Sequence, residues 1–309
     1  SVSFGTPVVF NSGTTTQLGA SYDTNAGKIV AVYRDFGNSQ YGTAIVGTVS
    51  GTSISFGSEA VYNSATSKEN HIVYDSTAQK HVIVYQVGTD LAAIVGTVSG
   101  TSISFGSEAI VSANAAYGVP DVVYDSGNDK TVVFYADNGD SQKGKAKVGT
   151  VSGTSISFGT AAEFEGGTTL RISAAYDSSA GKVVVSYKDS GDSDKGKAAV
   201  GTVSGTGISF GTPVVFESGA IDQTTTSYDV SAGKIVIAYE DDDNSDYGTV
   251  IAGAVSGTSI TFETALVIEN SATDEFGSVY DANAERVVIF YEDEGDSNKG
   301  KSVVFRAAS

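Results

Sequence analysis

The residues best placed to do chemistry are aspartates in a recurring loop. It reads DNGDSQKG from Asp137, DSGDSDKG from Asp189 and DEGDSNKG from Asp293, with the variants DFGNSQYG from Asp35 and DDDNSDYG from Asp241. Oxygen ligands at alternate positions around a glycine suit Ca²⁺, a hard cation that takes about six to eight oxygens. The pattern nominates Asp137 and Asp140, Asp189 and Asp192, and Asp293 and Asp296 as Ca²⁺ ligands. The same residues also make an ordinary Asp–Gly turn. The turn reading is favoured because no loop keeps EF-hand spacing or its bidentate Glu, and the loop at Gln86 (QVGTD) is shorter and lacks the pattern.

A second set of candidates lies where the sequence stops repeating. The short linkers carry Thr16-Gln17-Leu18, Glu69-Asn70-His71, Val119-Pro120-Asp121, Arg171-Ile172-Ser173, Gln223-Thr224-Thr225 and Glu275-Phe276-Gly277. Variation on an otherwise constant scaffold marks either a ligand site on loops or relaxed constraint. Glu69, His71, Arg171 and Glu275 are the ligand-binding candidates from this set. Tyr41 and Tyr247 join them, because they replace Lys143, Lys195 and Lys299 and could stack on sugars. The histidines are His71 and His81. Neither stands with a nucleophile motif, so no catalytic residue is assigned and no enzyme is expected.

These positions must be held by a repeat. GTVSGTSISFG occupies residues 47–57 and returns at 96–106 and 149–159, with altered copies from Gly201 and Gly253 and a truncated SVSFG at Ser1. Phe4, Phe56, Phe105, Phe158, Phe210 and Phe262 are spaced 52, 49, 53, 52 and 52 residues apart. A fixed period of this length signals a repeat architecture. Within one period, β-rich runs alternate with Gly, Ser, Asp and Asn clusters, which reads as four strands. In the fourth period these are 172–176, 182–188, 196–203 and 208–216, with a bulge at Gly211. The repeated Tyr-Asp closing strand one (Tyr22-Asp23 through Tyr280-Asp281) reads as a turn whose Asp accepts backbone amides. The tyrosines closing strand two, Tyr33 through Tyr291, read as packing between repeats.

The expected fold is all-β: one six-bladed β-propeller of four-stranded antiparallel blades, preferred over a β-solenoid. Its blades fall at about 16–62, 68–112, 117–164, 169–217, 221–268 and 273–307, the last completed by an N-terminal strand at 2–10. The strand two to three loops and the variable linkers would then share one face, at the channel mouth.

Composition narrows the partners. A net charge of −18 argues against nucleic acid. There are no cysteines, and no apolar run approaches the ~20 residues that a membrane helix needs. The absence of methionine implies that Ser1 is not an encoded start.

VGTVSGTSISFG with YDxxxGKxVVxYxD resembles repeats of largely uncharacterised surface proteins of marine bacteriophages and marine bacteria, across all six periods. The resemblance implies a non-catalytic structural or attachment module, on a virion appendage or cell surface, whose partners are other virion or surface proteins. Sialidase propellers use three arginines at the channel mouth, which Arg34, Arg171, Arg286 and Arg306 do not supply. Fucose-lectin propellers use Trp, Arg and Glu between blades, and this chain has no Trp. A lectin-like, glycan-binding propeller without that set is the alternative function.

Overall fold

The computed structural model describes residues 5–115 and 117–308. These residues form 24 β-strands and four short 3-10 turns, with antiparallel pairing throughout and no α-helix. Strands of the fourth period illustrate the plan. Thr169–Asp177, the end of the strand Ala162–Asp177, pairs with Lys182–Asp189, which pairs with Lys195–Ser204. The fourth strand arrives in two pieces, Gly207–Phe210 and the start of Val214–Asp229, both paired to Lys195–Ser204. The interruption falls at Gly211, where the sequence places the bulge.

Strands one and four differ from expectation in a useful way. Outer strand and next inner strand are one continuous 16-residue strand in four cases: Ala60–Asp75, Ala162–Asp177, Val214–Asp229 and Leu266–Asp281. Each crosses from one repeat to the next and links their sheets. The exception is the junction of the second and third repeats, where Ala109–Ser112 and Asp121–Asp125 are separate. Pro120 stands between them and has no amide to donate to a ladder. The strands therefore fall into a 9-stranded and a 15-stranded sheet that meet there.

The N-terminal strand expected at 2–10 is not seen as such. Residues 1–4 lie outside the described residues, and residues 5–14 carry no strand; among the described residues no closed sheet is formed. Residues 5–10 nevertheless sit where an outer strand would. Phe10 lies 5.2 Å from Tyr33 and 5.7 Å from Phe56, just as Phe216 lies 5.2 Å from Tyr239 and 5.8 Å from Phe262.

The core is a series of seams between successive repeats. Val30, Val32, Ala44 and Val46 of one repeat meet Ile83, Tyr85, Ala92 and Ile94 of the next. The strand-two tyrosines Tyr33, Tyr85, Tyr135, Tyr187 and Tyr239 are at most 1% exposed. The rings of all but Tyr135 pack on the aromatic of the preceding outer strand, as in Phe164–Tyr187 at 5.2 Å, whereas Tyr135 meets Val111 there. Four of these five hydroxyls, all but Tyr135, donate to a glutamate, for example Tyr85 to Glu108 at 2.6 Å and Tyr187 to Glu165 at 2.9 Å. Burial, with the glutamate beside it, pushes each such phenol well above its ordinary pKa. The six Tyr-Asp turns form as read. Each aspartate Oδ1 accepts two consecutive amides, Asn25 and Ala26 for Asp23, Ser179 and Ala180 for Asp177.

Candidate functional site

The six variable linkers converge. Residues from every repeat border one cavity of about 980 Å³, in which the inner strands face each other. Glu69, His71, Arg171 and Glu275, the sequence candidates, all line it. Tyr41 and Tyr247 do not. They open the third strands of their repeats, beside the loops.

One backbone feature positions the lining side chains. Gln17, Glu69, Arg171, Gln223 and Glu275 hold the same place in five inner strands, and all have positive φ, from 37° to 54°. In the third repeat Gly118 takes up the left-handed conformation nearby, at 64°. The register of each of those five strands shifts at this point, for example between Leu170 and Ser173. Left-handed backbone costs a non-glycine residue about 1 kcal/mol or more, yet five different side chains accept it and are delivered to the cavity. Sequence reading found the variable triplets but not this shared bulge, because nothing in Gln, Glu or Arg announces positive φ.

Contacts around the cavity are polar and mostly carboxylate-based. Gln17 Nε2 donates to Glu69 Oε1 at 2.6 Å. Burial raises the Glu69 pKa, only partly offset by His71 and Gln17. His71 Nδ1 lies 3.4 Å from Asp121 Oδ1. Arg171 is held bidentately by Asp222, with Nε to Oδ1 at 2.5 Å and NH2 to Oδ2 at 3.3 Å. Burial would raise the Asp222 pKa, but the bonds from Arg171 and the Gln223 amide outweigh it and keep it low. Arg171 is the one arginine lining the cavity among the described residues.

His81 is fully buried. It packs on Tyr74 at 5.0 Å, with Ser21 Oγ 3.4 Å from Nδ1 and Asp23 Oδ2 3.7 Å from Nε2. Desolvation, against the pull of Asp23, lowers its pKa to about 4. A histidine neutral at pH 7 and sealed from solvent is a packing residue.

The six aspartates nominated for Ca²⁺ each face a lysine. Lys145 Nζ lies 2.8 Å from Asp137 and 2.7 Å from Asp140, and Lys197 Nζ 2.6 Å from Asp189 and 3.0 Å from Asp192. Lys301 pairs with Asp293, and Lys299 lies 2.7 Å from Asp296. Hydrogen bonds lower the pKa of Asp140 (from Lys145), of Asp192 (from Lys195, then Lys197) and of Asp293 (from Lys301). Each of these carboxylates thus already has a lysine ammonium as a partner. The KGK following each loop was the available signal: in the fifth repeat Tyr247 and Thr249 replace both lysines. There Glu240, Asp242 and Asp246 bring oxygens within 4.8 Å of one another. Burial first, then the neighbouring carboxylates, pushes Glu240 up to about 8. Three oxygens are fewer than the six to eight Ca²⁺ takes.

No protein-family model and no curated protein matches this chain. Solved structures do. The chain is similar to the BP39L lectin from Burkholderia pseudomallei, with a TM-score of 0.65 at 13% identity over 94% of this chain and 82% of that one. It is similar to AofleA from Arthrobotrys oligospora, at a TM-score of 0.54 and 11% identity over 94% and 82%. The NanB sialidase from Streptococcus pneumoniae matches at 0.61 and 8% identity, over 94% and 67%. The fold is thus the all-β, propeller-like fold of such lectins and sialidases.

Proposed function

We propose that this protein is a non-catalytic glycan-binding module, built as a closed ring of six four-stranded blades. The observation that carries the reading is the axial cavity, to which six otherwise repetitive units each contribute polar side chains from their variable linkers. Carboxylates, amides and hydroxyls around a pocket also lined by apolar groups such as Ile172 and Phe276 match the hydrogen-bonding edges and C–H faces of a sugar. The lectin neighbours support the same reading. The single lining arginine disfavours sialidase-like chemistry, which recruits three. Glycan recognition is also the activity through which an attachment role on a virion appendage or cell surface would operate. The test is a glycan array probed with the labelled full chain at micromolar concentration. A reproducible subset of bound glycans is expected, and an array blank up to the highest concentration would sink the reading.

Ring closure is supported by a mismatch at the two ends. Val279, Phe290 and Val304 are 40–53% exposed, whereas the counterparts of Phe290 (Val32, Val84, Phe134, Ser186 and Ala238) are at most 1% exposed. The third strand Lys299–Phe305 pairs only with Arg286–Asp293 among the described residues, leaving one edge free. Residues 5–10, GTPVVF, repeat residues 211–216 letter for letter. In the fourth repeat Ala198 stands opposite Val214, so closure would set Ser302 opposite Val8. The native chain has no cysteine. A Val8→Cys/Ser302→Cys variant should therefore form one intrachain disulfide under mild oxidation, read as a mass loss of about two hydrogens, since facing β-carbons lie within bridging range. A variant that stays reduced, or crosslinks only between chains, would contradict closure.

A further inference from the structure

We infer that the axial cavity takes one ligand per chain and that this ligand carries a protonated amine, as an amino sugar does; this rests on the glycan-binding reading above. The seams between repeats are near copies of one another, so any site there would recur several times. The cavity is the opposite case. Five repeats use the same left-handed bulge to present Gln17, Glu69, Arg171, Gln223 and Glu275, and no two adjacent repeats present the same side chain. An asymmetric ring around one axis recognises one asymmetric ligand.

Charge sets the class. Glu69, Asp121 and Glu275 are the carboxylates lining the cavity, and Arg171 is its guanidinium. That guanidinium is already committed to Asp222, with Asp274 and Glu275 also close enough to act on it. An incoming anion would meet uncompensated carboxylates and find no free arginine fork. Among the described residues, neither Glu69 nor Glu275 is in an ion pair; Glu69 accepts only the neutral amide of Gln17. A cation entering between them gains charge-assisted hydrogen bonds at about twice the strength of neutral ones. A bare metal ion fits poorly: the lining carboxylates come from three different repeats and do not gather within 4.8 Å of each other. An extended molecule with an ammonium at one end and hydroxyls along its body fits. Thr224, Ser173 and Gln223 offer partners for the hydroxyls, and Phe276, stacked on Tyr291 with centroids 6.0 Å apart, offers a fixed ring face.

The experiment compares D-glucosamine with N-acetyl-D-glucosamine, which differ by removal of the charge, titrated calorimetrically into the full chain at neutral pH and low salt. One site per chain is expected, with glucosamine bound at least about tenfold more tightly. Glu275→Gln should cut glucosamine affinity about fivefold or more and leave the N-acetyl sugar unchanged. Glu275 is exposed at the cavity rim, so the variant should fold, and Glu69→Gln provides a second, independent test. Equal affinity for the two sugars, six equivalent sites, or glucosamine binding indifferent to both substitutions overturns the inference. If the array gives bound neutral glycans while glucosamine shows no preference, the amine inference fails and glycan binding stands. If neither binds, both fall.

Discussion

Gly159→Ala should destabilise the protein by about 3 kcal/mol, the upper end of what an inserted methyl group costs in a packed interior. A β-carbon at Gly159 would overlap the main-chain carbonyl of Thr206 in the next repeat, and a backbone atom cannot rotate aside. The same clash awaits at Gly57 with Thr101, Gly106 with Thr154 and Gly211 with Thr258. This contact explains why SISFG ends in glycine each time: each outer strand passes directly over the SGT turn of its neighbour. The fifth repeat departs from this pattern, reading SITFE with Glu263 in the glycine's place. Glu263→Ala is the matched control and should change stability by no more than about 0.5–1 kcal/mol, the worth of its exposed bond to Lys234. Thermal and urea midpoints of the two variants decide the matter. A Gly159→Ala protein as stable as the parent would remove this account of the repeat.

The second large effect is a loss of stability on mild acidification that depends on His81. Its folded pKa, about 4, lies below the ordinary 6.5. The fold therefore favours the neutral ring. The stability it contributes is fully present above pH 6.5 and is lost as pH falls through 6.5 to 4. A shift of that size corresponds to about 3 kcal/mol. Asp140, Asp192, Asp222 and Asp293 have lowered pKa values and lose their contributions only at lower pH. Glu240, raised to about 8, acts with the opposite sign, since its ionised form is the costly one. Comparing parent with His81→Val cancels these common contributions. Valine is already the residue at the corresponding Val183 and Val287, so the variant should pack. Urea midpoints should fall more steeply for the parent than for the variant between pH 7 and pH 4, so that the two curves converge or cross if the parent starts out the more stable and diverge if it does not. Parallel curves would show that the His81 pKa is the same in the folded and unfolded chain, and would overturn this account.

Much of this protein is legible in its sequence because a near-perfect repeat applies one physical solution six times. Strand positions follow from β-branched and aromatic runs between Gly, Ser and Asp turns. The Tyr-Asp turns follow from the short reach of an aspartate to amides two and three residues on. Even the cavity was half visible: Glu69, His71, Arg171 and Glu275 were singled out because scaffold positions repeat and these do not.

Other features were fixed only by the tertiary structure. Lysine reach decided the aspartate loops, since Lys145, Lys197 and Lys301 cross from the adjacent strand and neutralise Asp137, Asp189 and Asp293. Burial of His81 depends on Asp23, Ser21 and Tyr74, and two of these belong to the preceding repeat. Tyr41 and Tyr247 share their residue type with stacking residues but are placed away from the cavity by strand register. The five left-handed residues at the cavity are the clearest case. Local preference opposes positive φ at Gln17, Glu69, Arg171, Gln223 and Glu275, and it is adopted where the pairing of each inner strand with its neighbour shifts register. The sequence determined which elements form and where they differ. Packing of one repeat on the next decided which of those differences face a common space, because that is set by distances between residues about 50 positions apart, a separation at which local propensity carries no information.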